Sequence, residues 1–195
     1  MEFNQLKTTR GEIIQGPLLL KPSIFGDSRG SFFESWNSKK FNQIINKKVE
    51  FHQDNHSISE KGVLRGLHYQ LNPEPQGKLV RCVRGKIFDV AVDIRNGSKT
   101  FGEWVSCYLS SENKNQLWIP VGFAHGFLTI SDTAEVLYKA SGYWNKECER
   151  SIIWDDSRIN IIWPLSSINR KLPSLSNKDS EAPSLDYLVK VGETL

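Results

Sequence analysis

The run from Leu79 to Ile94, LVRCVRGKIFDVAVDI, constrains the fold of this chain more than any other segment. In its second half, Asp89 and Asp93 stand between apolar residues that recur at every second position. These apolar residues are Phe88, Val90, Val92 and Ile94. A period of two is typical of a strand with one face buried. Gly85 interrupts the run, and it predicts a turn between two such strands.

Short candidate strands continue beyond this run at spacings of roughly 8–12 residues. Turn-forming clusters such as NGSKTFG and SSENKN separate them. The candidates are Trp104–Leu109, Gln116–Ile119, Phe127–Ile130, Ala134–Ala140 and Ile152–Trp154. Many short strands at this spacing predict an all-β fold, either a sandwich or a barrel.

Helical patterns are scarce. The segment Ser38–Lys48 places Phe41, Ile44 and Ile45 at the i, i+3 and i+4 positions, with Asn37 or the first serine available as a cap. These positions predict one amphipathic helix.

The last part of the chain has a different composition. A short helix is expected near Asp156–Asn160, and the stretch from Pro164 to Pro183 is rich in serine, proline and asparagine. We expect residues 164–195 to form an irregular segment that closes over the sheet. At 195 residues and 22.3 kDa, the chain is expected to form a single domain, 1–195.

Composition limits the class of protein. No apolar run approaches the roughly 18 residues of a membrane span, and the N-terminal MEFNQLKTTRGEI lacks the apolar core of a signal peptide. The net charge of +3 comes from basic residues scattered among 22 acids, so no basic block predicts nucleic-acid binding. Cys82, Cys107 and Cys148 are odd in number and form no CxxC pair. They predict reduced thiols and a cytoplasmic protein rather than a disulfide framework or a zinc site.

The stretch RGLHYQ followed by QGKLVRC carries the most suggestive chemistry. It places His68 a short extended spacing from Lys78, with strand-like sequence on both sides. In a strand, Leu67 and Tyr69 would share one face and His68 would point to the other. A histidine and a lysine on neighbouring strands could supply a base and an anion ligand. A histidine inside a barrel is as often a hydrogen-bonded core residue, so the spacing leaves both interpretations open.

Histidine spacing argues against a catalytic metal. His68 is followed by tyrosine and glutamine, so no second histidine stands beside it. His125, in WIPVGFAHGF, is isolated, while His52 and His56 in VEFHQDNHS favour surface or hydrogen-bonding roles. Because metal coordination requires three or four ligands, we expect neither a metal site nor another cofactor.

Other polar side chains are candidates for acid–base chemistry or anion binding. Tyr138, in EVLYKAS, is the best general-acid candidate because an unperturbed phenol, with a pKa of about 10, is protonated at neutral pH. Aromatic residues are also common in strands. Asp179 lies in the polar SLSNKDS, where a lone acid is normally solvated. Four cations, each most often a surface charge, could together hold a diphosphate: Arg29, Arg65, Lys78 and Lys178.

The order of the motifs resembles one known family. The succession FGDSRGSFFES, FHQDNHS, GVLRGLHYQ, QGKLVRCVRGKIFDVAVDIR, TFGEW, QLWIPVGFAHGF, LYKAS and IIWDD is similar to that of the dTDP-4-dehydrorhamnose 3,5-epimerases. The resemblance covers about Leu18 to Asp186. It implies a metal-independent, cupin-type jelly roll that forms a homodimer by N-terminal strand exchange. It also implies an isomerase that inverts C3 and C5 of dTDP-4-dehydro-6-deoxy-D-glucose, giving dTDP-4-dehydro-L-rhamnose on the route to dTDP-L-rhamnose.

The resemblance also implies catalytic roles. His68 matches the family's base, and Asp179 matches the acid that orients it. Tyr138 matches the tyrosine on the opposite face of the sugar, Lys78 the lysine that stabilises the enolate, and His125 a second active-site histidine. Such a set suits the chemistry, because inversion removes a proton from one face and returns one to the other, while the enolate oxygen needs a cation or a donor.

Substrate contacts are implied for a larger set of residues. The nucleotide end, expected to reach across the dimer, is formed by Phe25, Arg29 and Glu34. Contacts to the base, sugar and diphosphate are implied for Gln53, Asn55, Arg65 and Lys178. Members often carry two tyrosines after the LYK motif, whereas this chain has Tyr143 and Trp144. An aromatic residue near the sugar could influence whether both centres invert.

Three alternatives stay open at this point. The first is an epimerase that acts at C3 or C5 alone, on a related dTDP-4-keto-deoxysugar. The second is a non-catalytic cupin that binds nucleotide sugars. The third is a metal-dependent cupin dioxygenase or isomerase. Solvent exchange and the effect of chelation distinguish them.

Overall fold

The computed structural model describes residues 1–195 as 13 strands and three short α-helices. The strands are β1 (Glu2–Lys7), β2 (Ile13–Lys21), β3 (Ile24–Asp27), β4 (Gly30–Phe33), β5 (Gln53–Glu60), β6 (Leu64–Gln70), β7 (Lys78–Arg84), β8 (Lys86–Asp93), β9 (Trp104–Ser110), β10 (Gln116–Ile119), β11 (Phe123–Thr129), β12 (Thr133–Ala140) and β13 (Glu149–Ser151). The helices are α1 (Ser38–Ile45), α2 (Asn177–Ser180) and α3 (Leu185–Lys190), with a 3-10 turn at Leu165–Ile168. The predicted all-β class is confirmed.

Eleven of the strands form two sheets that pack face to face. The order in the six-stranded sheet is β1-β2-β10-β7-β12-β5, and the order in the five-stranded sheet is β13-β6-β11-β8-β9. Between them lies an apolar cluster to which Val80 and Val136 contribute from the first sheet, and Ile87 and Phe127 from the second. The remaining pair, β3 and β4, forms a separate hairpin. The fold is therefore a β-sandwich, one of the two architectures that the strand spacing predicted.

The predicted turn at Gly85 is a crossing between the two sheets. β7 ends at Arg84 in the six-stranded sheet, and β8 begins at Lys86 in the five-stranded one. Gly85 has a φ of +76°, and a Cβ atom at this position would collide with the carbonyl oxygen of Thr133. A residue without a side chain is therefore required where the chain changes sheets.

The prediction that β8 buries only one face is wrong. Asp89 and Asp93 are both fully buried, because β8 lies inside its sheet and both sides of that sheet are covered. The alternating apolar residues of β8 face away from the sandwich interior and pack on the C-terminal part of the chain. The C-terminal residues that share a core cluster with β8 are Ile159, Ile161, Trp163, Ile168, Leu185 and Leu188.

Several element boundaries differ from the sequence expectation. The strand expected at Ile152–Trp154 is instead Glu149–Ser151, and the apolar residues that follow it are core residues outside any strand. Turns occupy Asp156–Asn160, where a helix was expected. The C-terminal segment is also less irregular than expected, since α2, α3 and the 3-10 turn lie in it.

The amphipathic helix α1 forms where the sequence predicts it but is shorter. The Asn37 side chain accepts a hydrogen bond from the backbone amide of Lys40, which caps the first turn. The helix ends at Ile45 because Asn46 adopts a left-handed conformation, with a φ of 51°. Its buried residue, Phe41, packs edge-on against Trp118 of β10.

The helices of this protein are all short. None has the length and the apolar character needed to cross a lipid bilayer.

Candidate active site

A small cavity of about 170 Å³ opens between the two sheets. Its lining comes from β5, β7 and β12 on one side and from β6 and β13 on the other. The lining residues are Gln53, Asn55, His68, Tyr69, Gln70, Gln76, Lys78, Tyr138, Trp144 and Glu149. A larger hollow of about 720 Å³ lies between β2 and the end of α1, but it contains none of the predicted catalytic residues. The cavity between the sheets is therefore the candidate active site.

His68 and Asp179 form the central contact of this site. The two residues are 111 positions apart, yet Nε2 of the histidine lies 2.5 Å from Oδ1 of the aspartate. Strand β6 presents His68 toward the cavity, while Leu67 and Tyr69 face the opposite core cluster. Asp179 lies on α2 and is 4% exposed. Judged from its polar neighbours alone, this aspartate would be solvated, whereas the structure buries it against His68.

The contact fixes the protonation state of both partners. An ionised carboxylate only accepts hydrogen bonds, so Nε2 of His68 carries the proton and Nδ1 keeps a free lone pair. Burial lowers the pKa of His68, although the hydrogen bond and the charge of Asp179 act to raise it. Burial alone would raise the pKa of Asp179, but the hydrogen bonds from His68 and Ser176 and the nearby positive charge together outweigh it, and the net pKa lies below the usual value. At neutral pH the pair is thus a neutral imidazole held by a carboxylate.

Lys78 approaches His68 from the facing sheet. The sequence suggested neighbouring strands, but β6 and β7 belong to different sheets. Nζ of Lys78 lies 3.4 Å from the backbone carbonyl oxygen of His68 and 5.9 Å from the ring centre of Tyr138. Burial lowers the pKa of Lys78 to about 8. The lysine is therefore mainly a cation at neutral pH, and it lies in a site where its charge is poorly screened by water.

Tyr138 lines the cavity from β12, in the sheet opposite His68. Burial raises the pKa of its phenol, while Asn55 and the charge of Arg65 oppose the shift. The hydroxyl therefore remains protonated at neutral pH. A base and a protonated acid thus line one cavity from its two opposite walls.

Glu149 is a residue of this site that the sequence did not predict. It lies at the start of β13 and accepts an ion-pair contact of 2.6 Å from Nζ of Lys178. Burial acts to raise the pKa of Glu149, but Lys178, with smaller contributions from Trp144 and His68, outweighs this effect, and the net pKa is lowered. The segment KECERS offered no signal for it, since a glutamate among alternating charges is typical of a solvated loop.

His125 lies in the strand beside His68 and is paired with a second buried acid. The two histidines are directly opposite each other across β11 and β6. Nε2 of His125 lies 2.6 Å from Oδ1 of Asp89, and both side chains are almost completely buried. His125 does not line the cavity. The sequence did carry a signal for Asp89, namely an acid within the apolar strand FDVAVD.

The structure does not bring the predicted nucleotide-end residues into the cavity of the same chain. Phe25 and Arg29 lie on the β3–β4 hairpin and border a separate shallow hollow. Arg29 pairs with Asp27 at 2.6 Å, and Glu34 pairs with Lys40 at 2.8 Å. Phe25 is 66% exposed, which leaves a large apolar side chain in solvent on a single chain.

Of the other predicted binding residues, Gln53, Asn55 and Trp144 line the cavity. The side chain of Gln53 bonds to Asn55 at 2.9 Å and accepts a hydrogen bond from the backbone amide of Trp144. Arg65 bonds to the hydroxyl of Ser59 at 3.0 Å and lies outside the cavity lining. Tyr143 is also outside the lining, although Trp144, the next residue, is part of it.

The two remaining histidines take the local roles that the sequence favoured. His52 stacks on Tyr143 with ring centres 5.6 Å apart. His56 lies 3.4 Å from Glu135. No group of three or more histidine, cysteine, aspartate or glutamate side chains is arranged to hold a metal ion.

Known proteins of one family are similar to this chain over most of its length. The family model described as dTDP-4-dehydrorhamnose 3,5-epimerase matches residues 12–187. The enzyme of that name from Salmonella typhimurium is 59% identical over 169 residues, covering 87% of this chain and 90% of the relative.

Two solved structures share the fold over almost the whole chain. An epimerase from Legionella pneumophila, in complex with dTDP-4-keto-L-rhamnose, is 44% identical with a TM-score of 0.88, and the match covers 99% of this chain and 97% of that one. An epimerase from Mycobacterium tuberculosis is 38% identical with a TM-score of 0.92, covering 100% and 93%. The sandwich is thus a cupin-type jelly roll.

Proposed function

This chain belongs to the dTDP-4-dehydrorhamnose 3,5-epimerase family, and on that premise we propose that its cavity carries out the family's reaction. The protein is an isomerase that converts dTDP-4-dehydro-6-deoxy-D-glucose to dTDP-4-dehydro-L-rhamnose by inversion at C3 and C5, a step of dTDP-L-rhamnose biosynthesis. The main support for assigning the reaction to particular residues is the contact of 2.5 Å between His68 and Asp179. The cavity that His68 lines is also lined by Lys78 and Tyr138.

His68 is the proposed base. Its free Nδ1 takes the proton from the carbon next to the C4 ketone, and the resulting imidazolium is stabilised by Asp179. The electron pair left on carbon delocalises onto the C4 oxygen and forms an enolate. Lys78, which burial leaves poorly hydrated, donates a hydrogen bond to that oxygen.

Tyr138 is the proposed acid on the other face of the sugar. It lines the cavity from the wall opposite His68. Its hydroxyl gives a proton to the enolate carbon, which inverts the centre, and the phenolate then recovers a proton while His68 loses one to solvent. The same cycle at the second carbon completes the double inversion without a redox step or a cofactor.

The nucleotide end of the site is proposed to be completed by a second copy of the chain. Phe25 and Arg29 lie on an exposed hairpin and do not line the cavity of their own chain. A homodimer in which N-terminal strands are exchanged would allow them, with Glu34, to reach the partner's substrate. Light scattering of the purified protein tests this, because a monomer at assay concentration would contradict it.

We further propose that the enzyme needs no metal and works in the cytoplasm. In support, three free cysteines suit a reducing compartment. Fractionation of the source cells tests the location. Activity retained in excess EDTA tests metal independence, whereas loss on chelation and recovery with added metal would contradict it.

Proton exchange with solvent tests the function directly. The protein is incubated with dTDP-4-keto-6-deoxyglucose in D₂O, and NMR reports label and configuration at C3 and C5. We expect deuterium and inversion at both carbons. Label at one carbon would identify a single-carbon epimerase, and tight dTDP binding without label would identify a binding protein.

A matched pair of variants assigns the base. His68→Ala is expected to lose exchange and to keep dTDP binding. His56→Ala removes a partly exposed histidine on β5 and serves as the control that keeps exchange. Exchange like that of the wild type in His68→Ala would contradict the proposed base.

A further inference from the structure

Gln70, the last residue of the RGLHYQ motif, has no part in the proton transfers described above. It ends β6, two residues after His68, and lines the same cavity. The side chain is almost completely buried, with 3% of the residue exposed. A buried amide requires hydrogen-bond partners, and those of Gln70 lie in two loops beside the cavity.

The amide group of Gln70 joins these two loops. Its Nε2 donates to the backbone carbonyl of Glu74 at 2.5 Å, in the loop between β6 and β7. The same nitrogen donates to the carbonyl of Tyr143 at 3.0 Å, in the loop between β12 and β13. Its Oε1 accepts a hydrogen bond from the backbone amide of Asn145 at 2.9 Å. Both donor hydrogens and one acceptor site are therefore in use.

These contacts lie on either side of Trp144. Other hydrogen bonds between the two loops are made near the ends of the second loop, by Ser141, Gly142 and Cys148. In its middle, Gln70 holds the residue before Trp144 and the residue after it, while the amide of Trp144 itself donates to the side chain of Gln53 on β5. Tyr143 and Trp144 are 61% and 54% exposed, so packing, which includes the stacking of His52 on Tyr143, fixes them only in part.

We propose that Gln70 is a positioning residue that fixes Tyr143 and Trp144 beside the cavity and so sets the affinity for the nucleotide sugar. This rests on the proposed function and on the expectation from the sequence that these two aromatic residues lie near the bound sugar nucleotide. Because the loop is ordered before the ligand arrives, binding does not have to restrict it further. Proton transfer by His68 and Tyr138 does not depend on these hydrogen bonds.

The test uses the change Gln70→Glu, which keeps the shape of the side chain. The carboxylate can still accept from the amide of Asn145, but it cannot donate to the carbonyls of Glu74 and Tyr143. Loss of two buried hydrogen bonds predicts an increase of about tenfold or more in KM and in the Kd for dTDP. The kcat is expected to stay within about threefold of the wild type in Gln70→Met, a variant of similar length that removes the amide without placing a charge near Lys78.

A control and a second variant separate positioning from general damage. Gln43→Glu makes the same change on the exposed side of α1 and is expected to leave KM and Kd unaltered. Gln70→Met, which has no amide and no charge, is measured beside Gln70→Glu and takes its place if that variant does not fold. Hydrogen exchange should also be faster at the amide of Asn145 in Gln70→Met than in the wild type, because the acceptor of that amide is lost.

Three results would overturn the inference. One is an unchanged KM and Kd in a folded Gln70 variant. A second is a lower kcat at constant KM, which would link Gln70 to the proton transfer. The third is a wild-type protein that does not bind dTDP. A wild type that binds dTDP without exchanging protons would refute the proposed function alone, and the Kd of the Gln70 variant would still decide this inference.

Discussion

Replacement of Asp179 by asparagine tests the central contact of the site with the smallest change in shape. The carboxylate is buried and accepts the hydrogen bond from His68 at 2.5 Å. An asparagine can occupy the same space, but it carries no charge to stabilise the imidazolium that forms when His68 takes a proton. Its amide can also present N–H to Nε2, which would favour the wrong tautomer of the histidine.

The expected loss follows from the strength of this one interaction. A hydrogen bond to a charged group contributes about 1.5–3 kcal/mol. The imidazolium is formed in the course of the reaction, so the loss falls on the transition state and on kcat. With about 1.4 kcal/mol for each factor of ten, kcat should decrease by about 10-fold to about 150-fold.

The pH profile adds a second, independent readout. Asp179 raises the pKa of His68 against the effect of burial. Without the carboxylate the pKa of the histidine falls further, so the base stays neutral to lower pH. The acid limb of kcat should therefore move to lower pH in Asp179→Asn, although the plateau is lower.

The assay is deuterium incorporation at C3 and C5, followed by NMR across a range of pH. Glu181→Gln is the matched control, since Glu181 is an exposed acid at the end of the same short helix. Thermal unfolding of each variant checks that the fold is intact. A folded Asp179→Asn enzyme with the kcat of the wild type, or with an acid limb at higher pH, would refute this reasoning.

Two further predictions concern the other wall of the cavity. The kcat should fall as pH rises through about 8, because Lys78 loses its proton there and can no longer stabilise the enolate as a cation. In Lys78→Arg, whose guanidinium stays charged, this alkaline decrease should disappear from a kcat–pH profile. If the decrease persists in that variant, another group causes it. In Tyr138→Phe, His68 still removes and returns protons on its own face, so NMR should detect deuterium without inversion. Inverted product at the wild-type rate would show that another group is the acid.

The parts of the fold that sequence patterns predicted are those that local chemistry decides. Asn37 and Phe41 define α1, and Gly85 marks a turn, because caps, apolar spacing and backbone freedom act within a few residues. The alternation of apolar and polar residues in β8 correctly predicted a strand, but it predicted one buried face where both faces are buried. Whether a second layer covers the outer face depends on residues such as Trp163 and Leu188, more than 60 positions away along the chain.

Local sequence patterns predicted less of the active site than of the fold. His68 remained either a core residue or a base, because its partner lies 111 residues away. Asp179 and Glu149 both stand in polar segments that are typical of solvated loops, and the motif resemblance singled out only the first. Burial and pairing decide the chemistry of such residues, and both are created only when distant segments meet.

The way in which the C-terminal segment reaches the cavity explains how such a distant pair is positioned. Helix α2 has only four residues, far fewer than an isolated helix needs for stability in water. The Ser176 side chain caps it by accepting a hydrogen bond from the amide of Asp179. Just before it, Ser174 pairs in parallel with Val63, and its carbonyl accepts a hydrogen bond from the amide of Leu64.

The strand that presents His68 therefore also anchors the segment that delivers Asp179. Lys178 adds a further contact through Glu149 on β13, which pairs with the same strand. Each contact alone would hold a short helix weakly. Because all of them converge on β6 or on the strand beside it, the distance between base and orienting acid is set by one rigid part of the sheet.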